Sequence, residues 1–325
     1  MAEMGLIERP IFIWVGSDVI TDVLSPYARE LRSPLLEWAA QNPPALGEDL
    51  RDLAQPAGED ALYALARDFT ASDPALANER TQADRTVGIL RFDGDGLPFE
   101  LLDLGRIEPQ VCDARLADFT PPAPAPVLVR LTASLEDGEA MLLRTLLAAL
   151  GPRIIGAALI MEGVALSGGV GAIVLPHLLV EWRESKLWLP NAAPLAAGDL
   201  VGHADAQVLG GAVLSAPAAS LLSPGHVADL VRAYGVSAVE VGGAPALEAL
   251  MDARLSGVLS PGADVSWALV GGQSTARGRP TLTSIASHAA LALAVLHRLT
   301  GTRPAREEPP PAKRRAGGRS LRIKA

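Results

Sequence analysis

Cysteine occurs once in 325 residues, at Cys112. No disulfide can form within the chain, and thiolate-ligated zinc or iron–sulfur sites are excluded. This usage points to a reducing compartment, and a cytoplasmic location is expected. Lysine is almost as scarce: Lys186, Lys313 and Lys324 stand against 25 arginines. No G-x-x-x-x-G-K-[ST] run exists, so a P-loop phosphate cradle is excluded, and Lys186 is the one lysine before the tail that a Schiff base could use. Aromatic residues make up 4% of the chain, so the core must be built from Ala, Val, Leu and Ile. Charged residues are 20% against 49% hydrophobic, which excludes a disordered protein and leaves enough apolar mass for one large core or two ordinary ones.

Charge is unevenly placed. Residues 1–126 hold 10 basic and 22 acidic side chains, residues 127–302 hold 10 and 13, and residues 303–325 hold 8 and 2, so the net values of −12, −3 and +6 give the overall −9. An acidic body repels a phosphate backbone, and nucleic-acid binding by the folded part is not expected. The first ten residues carry acids where a signal peptide carries bases, so secretion is not expected. The stretch from Ile154 to Trp182 is membrane-like in composition, but Glu162 and its neighbouring glycines favour two buried elements over a transmembrane span.

The segment Pro121-Pro-Ala-Pro-Ala-Pro126 reads as a semi-rigid spacer. It divides an acidic mixed α+β domain (1–120) from a larger α/β domain (127–302) with a largely parallel or mixed sheet, followed by a disordered basic tail (303–325). In the first domain the pattern predicts a strand at 11–15, helices near 17–23, 31–40, 47–54 and 58–69, and a hairpin around Asp93-Gly-Asp-Gly96. In the second it predicts strands at 127–132, 154–161, 236–241 and 264–270 and a short antiparallel pair at 180–183 and 186–189. Helices are expected at 134–150, from Ser223-Pro224 to 234, at 245–255 and at 284–299. The last of these is apolar almost all round and needs cover from its own core or from another subunit, so a homo-oligomer is one expectation.

Chemistry is expected first at two strand-to-glycine junctions. Gly242 and Gly243 precede a helix, whose free N–H groups favour an anion. Gly271 and Gly272 lead into Ser274, Thr275, Arg277 and Arg279, hydroxyls and guanidiniums that suit a phosphate or carboxylate. On neighbouring strands, both junctions would line one crevice. His203 and Asp205, two residues apart, form a possible base and acid on one face of a strand. Glu162, inside an apolar run, is the third candidate for proton transfer, provided that it is buried and unpaired. His177, His226, His288 and His297 show no ligand spacing, no metal site is expected, and no motif specifies a cofactor.

The leading expectation is thus a soluble α/β protein that binds a small anionic metabolite, with acid/base chemistry by Glu162, His203 or Asp205 if it is an enzyme. The alternative is a non-catalytic assembly protein, in which the apolar last helix is an interface. In that reading the basic tail, ending in Leu321 and Ile323, docks on a protein partner.

Overall fold

The run Ile11-Phe-Ile-Trp-Val15 has apolar residues on both sides of its pleat, a pattern that suits a strand covered on both faces. The computed structural model describes residues 8–42, 58–94, 97–131, 137–182, 187–188, 195–203, 205–216, 224–260, 262–272 and 281–300. In it β1 (Ile11–Gly16) is wholly buried at mid-sheet, parallel to β4 (Val127–Leu131) on one side and β5 (Ile154–Ala165) on the other. Phe12 and Trp14 enter the core on one face, and Ile11, Ile13 and Val15 enter the core on the other. Beyond β4, the hairpin of β3 (Leu97–Asp103) and β2 (Ile89–Gly94) ends the sheet with antiparallel pairs. The strands on either side of segment 121–126 share this one sheet.

On its other edge β5 carries β10 (Asp264–Gly271), and past the end of β1 it takes up β9 (Val236–Val241). It runs parallel to β10 from Gly156 to Gly163, and its last three residues pair antiparallel with β9. β10 meets β6 (Ile173–Glu181), which runs parallel to β8 (Val208–Ala216), and β8 runs parallel to β9. Strands β5, β10, β6, β8 and β9 therefore close on themselves, which removes open edges from this half of the sheet. A two-residue strand, β7 (Leu187–Trp188), pairs with β6 as expected from the sequence. The fold is a mixed α/β sheet with helices on both faces.

One face is covered by α1 (Val19–Leu24), α2 (Tyr27–Glu30), α3 (Arg32–Gln41), α4 (Glu59–Ser72) and α9 (Leu282–Thr300), and the other by α6 (Asp137–Leu150) and α8 (Gly243–Leu255). A smaller cluster joins α7 (Pro224–Tyr234) to β6, β8 and β9. Among the described residues α9 is the one helix long and apolar enough to cross a membrane, but Ser284 to His297 are mostly buried against α1, α4 and the sheet. Its cover comes from its own chain. Residues 154–182, membrane-like in sequence, fold as β5 and β6.

Besides the four-residue α2, two elements escape the sequence pattern. Helix α5 (Pro74–Thr86) buries only Asp84 and has no apolar stripe to announce it. Strand β8 contains Gly210 and Gly211, and a side chain at Gly211 would collide with Ser237, so the residue that weakens strand propensity is the one that lets β9 approach. The expected helix at 47–54, the capping residues near Ser134 and the tail 303–325 lie outside the described residues.

The exit of β1 is held by buried ion pairs. Asp18 and Asp22 both bind Arg67, Asp22 also binds Arg80, and Arg80 and Arg91 meet Asp84 on α5. Arg91 and Arg130 then share Glu100, which also accepts from Thr21 at 2.5 Å. Four acids alternate with four arginines in a neutral chain. Burial raises the carboxyls of Asp22 and Glu100, but the surrounding arginines outweigh it, holding Asp22 below its ordinary range and Glu100 down to about 2. Replacing Asp22 by Asn would leave two guanidiniums short of charge, and a loss of about 3–5 kcal/mol in urea unfolding is expected. Gly16 has φ +121° and its Cβ would sit 1.9 Å from the Ile160 carbonyl oxygen, so Gly16→Ala should cost on the order of 3 kcal/mol in the same assay.

Candidate functional site

Parallel strands end together, and the loops that follow them make the usual ligand crevice of an α/β sheet. Here β1, β5 and β10 reach a common carboxyl edge. The amide of Ser17 donates to the Ile160 carbonyl and that of Gly272 to the Gly163 carbonyl, which fixes the loops after β1 and β10 against β5. Glu162 stands between them with its carboxylate exposed. A Cβ on Gly272 would come within 2.5 Å of Glu162 Oε1, so the carboxylate lies against the Gly272 backbone. Ser284, in the first turn of α9, donates to Glu162 Oε1 at 3.4 Å. Asp18, beyond the end of β1, has a half-exposed side chain held by Arg67 at 2.7 Å.

The condition set for Glu162, burial without a partner, is not met: the residue is exposed and Ser284 bonds it. Strand β5 outruns its helical cover at Met161, so the next side chain on the α9 face stands in the open. The two glycine junctions do not sit on neighbouring parallel strands, as the shared crevice required: β10 runs parallel to β5 and β9 antiparallel to it. β9 and β10 lie on opposite edges of β5, with Glu240 paired to Gly163 and Gly163 paired to Gly271, about 10 Å across two strand spacings. Ser274, Thr275, Arg277 and Arg279 lie outside the described residues.

The helix start at Gly242 and Gly243 is engaged from within. Glu240 points to the face covered by α8, where its Oε2 accepts from the Gly243 amide at 2.7 Å, and Ser215 bonds the carboxyl and accepts from the Ala244 amide. A side chain at Gly243 would strike the Glu240 carboxylate. The chain's own acid thus takes the place at this helix terminus that the sequence reading assigned to a ligand. Glu240 is fully buried with Oε1 unpartnered, and burial pushes its carboxyl up to about 7 against the two bonds.

His203 is remote from Glu162. It packs on His297 with ring centroids 4.9 Å apart, and His297 lies thirteen residues beyond Ser284 on α9, about 20 Å away along the helix. Burial, His297 and Arg115 push the His203 imidazole down to about 4, while Asp205 is exposed. The two do not join the carboxyl-edge cluster.

Sequence reasoning missed Asp18, Arg67, Ser284 and His288. Asp18 had a signal, since Gly16-Ser-Asp18 is a third strand-glycine-helix junction of the kind noted elsewhere. His288 sits one turn after Ser284, buried beside Arg67, with Nδ1 unpartnered. Burial and then Arg67 push its imidazole down to about 3. No group of three or more His, Cys, Asp or Glu side chains suited to a metal occurs among the described residues.

A family model described as a family of unknown function (DUF6909) matches residues 1–270, nearly all of the sheet and the face that carries Glu162. The chain belongs to this family. No curated protein matches this DUF6909 chain. Among solved structures it is similar to a 5′-methylthioadenosine/S-adenosylhomocysteine nucleosidase from Colwellia psychrerythraea 34H in complex with adenine, with 11% identity, 91% of this chain and 96% of that one covered, and a TM-score of 0.45. It is also similar to a futalosine hydrolase mutant of Helicobacter pylori strain 26695 (11% identity, 89% and 99% covered, TM-score 0.44). A methylthioadenosine phosphorylase from Schistosoma mansoni gives 9% identity, 90% of each chain and a TM-score of 0.44. No residue role in the DUF6909 chain follows from likenesses this distant.

Opposite pH responses follow from the two buried groups. Folded Glu240 holds its proton up to about 7 against an ordinary 4.5, so its contribution to stability is complete below pH 4.5 and is lost as pH rises to 7. Glu240→Gln should therefore gain on the wild type across that window, by about 3 kcal/mol at its upper end. His288 stays neutral down to about 3 against an ordinary 6.5, so its contribution is present above pH 6.5 and is lost as pH falls toward 3. Urea unfolding at several pH values reads both, and a flat Glu240→Gln difference would contradict the first.

Proposed function

We propose that the protein is a cytoplasmic binder of a small metabolite, held at the carboxyl edge of β1, β5 and β10. In this reading the ligand donates hydrogen bonds to Glu162 and carries an acidic group countered by Arg277 and Arg279. The observation that carries it is the convergence on Glu162: an exposed carboxylate, the Gly272 backbone against it and a serine from a third element. A carboxylate only accepts hydrogen bonds, so the ligand group opposite it is a hydroxyl or an amine. The nearby guanidiniums of Arg67 and Arg130 are engaged by Asp18, Asp22 and Glu100. Countercharge for a phosphate or carboxylate therefore falls to the sequence that continues from Gly272, where Ser274, Thr275, Arg277 and Arg279 stand. Any proton transfer in this reading runs through Glu162. The assembly alternative loses its main support because α9 is covered by its own chain.

Ribose 5-phosphate, adenosine 5′-monophosphate and glutamate, titrated by calorimetry, sample different donors and acids. At least one should bind, with Glu162→Gln weakening it about tenfold. The double variant Arg277→Ala/Arg279→Ala should weaken phosphate-bearing probes most. Equal affinity in Glu162→Gln and wild type would remove Glu162 from the site.

A further inference from the structure

We propose that His288 is a specificity-determining residue of the carboxyl-edge site, presenting its Nδ1 to the bound molecule. The inference rests on the reading of that site given above and extends it to a residue from the last helix.

Three observations converge. Ser284 and His288 are four residues apart on α9 and so share one stripe, and helical side chains lean toward the N-terminal turn, which here carries Ser284 and its bond to Glu162. His288 also feels the guanidinium of Arg67, whose NH2 group holds Asp18. His288 thus sits one helical turn from Ser284, the partner of Glu162, and within electrostatic reach of Arg67, the partner of Asp18. Third, the residue is 6% exposed and Nδ1 is buried without a partner. A polar atom left bare in a core is costly unless something meets it. With Arg67 alongside and little water, the ring remains neutral over the physiological range, and a neutral imidazole offers both a donor and an acceptor. Next to a site whose exposed carboxylates only accept, it supplies the versatility that they lack, and it would distinguish ligands by the group placed deepest.

The test uses the full chain and the three probes named above. His288→Phe keeps a ring without nitrogens, and His288→Asn restores a polar atom near the Nδ1 position. The Phe variant should bind the best probe about tenfold more weakly, and the Asn variant should recover most of that loss. In the histidine-labelled wild type, the His288 ring nitrogens should shift in long-range 1H–15N spectra when the probe is added. Unchanged binding in His288→Phe, or, should that variant fail to fold, unmoved His288 resonances on saturation, overturns the proposal. If Glu162→Gln weakens binding while His288→Phe does not, the site stands and only the role of His288 falls. If no probe binds, or Glu162→Gln binds like wild type, the site itself falls and His288 with it.

Discussion

One strand with partners along both edges determines the rest. β5 bonds to β1 and β10 over its first half, then to β10 and β9 over its second. That change of partner joins an open, twisted sheet to a closed ring of strands, and it demands close backbone approach. Gly156 makes room for the ring of Phe12, and Gly163 for Glu240 and Leu269. Because β5 must reach far enough to meet β9, it extends past the helices that cover it. The exposed Glu162 is a by-product of that reach, and the crevice around it exists because β1 and β10 end where β5 carries on.

The two faces of the sheet solve different electrostatic problems. Around α1 and α5, charges are buried in alternation, so that each carboxylate has cationic neighbours and each guanidinium a place for its fork. Such a chain adds little net stability over a hydrocarbon core, but it penalises any other arrangement of α1, α5 and the hairpin, because a displaced member leaves a buried charge alone. Under α8 the solution is a single carboxyl group that meets a helix start and a serine and remains partly protonated at neutral pH. The first device fixes a geometry, and the second makes stability depend on pH.

Much of the fold was legible because the sheet's strands announce themselves. Ile11 to Val15, Val127 to Leu131 and Asp264 to Val270 are apolar runs ending near glycine or turn residues, and buried parallel strands read that way. What stayed hidden was whatever lacks an apolar signature. α5 is held by ion pairs, and β8 carries two glycines, of which Gly211 leaves room for Ser237 on β9. The site was half legible for the same reason. Glycine junctions and Glu162 stood out as anomalies in apolar sequence, whereas Ser284 and His288 look like ordinary helix residues until a tertiary neighbour gives them a partner. Glu240 was passed over as one acid in a strand, although it decides what the α8 terminus does.

The position of α9 in the chain sets the order in which the molecule becomes safe to handle. Among the described residues, everything that shields this helix is synthesised before it, so a newborn chain already owns the surface onto which this apolar segment will settle. A truncated or partly melted molecule has the reverse problem, an apolar segment of membrane length without its berth. Chaperone demand and aggregation should therefore concentrate at this end of the chain rather than at the acidic beginning.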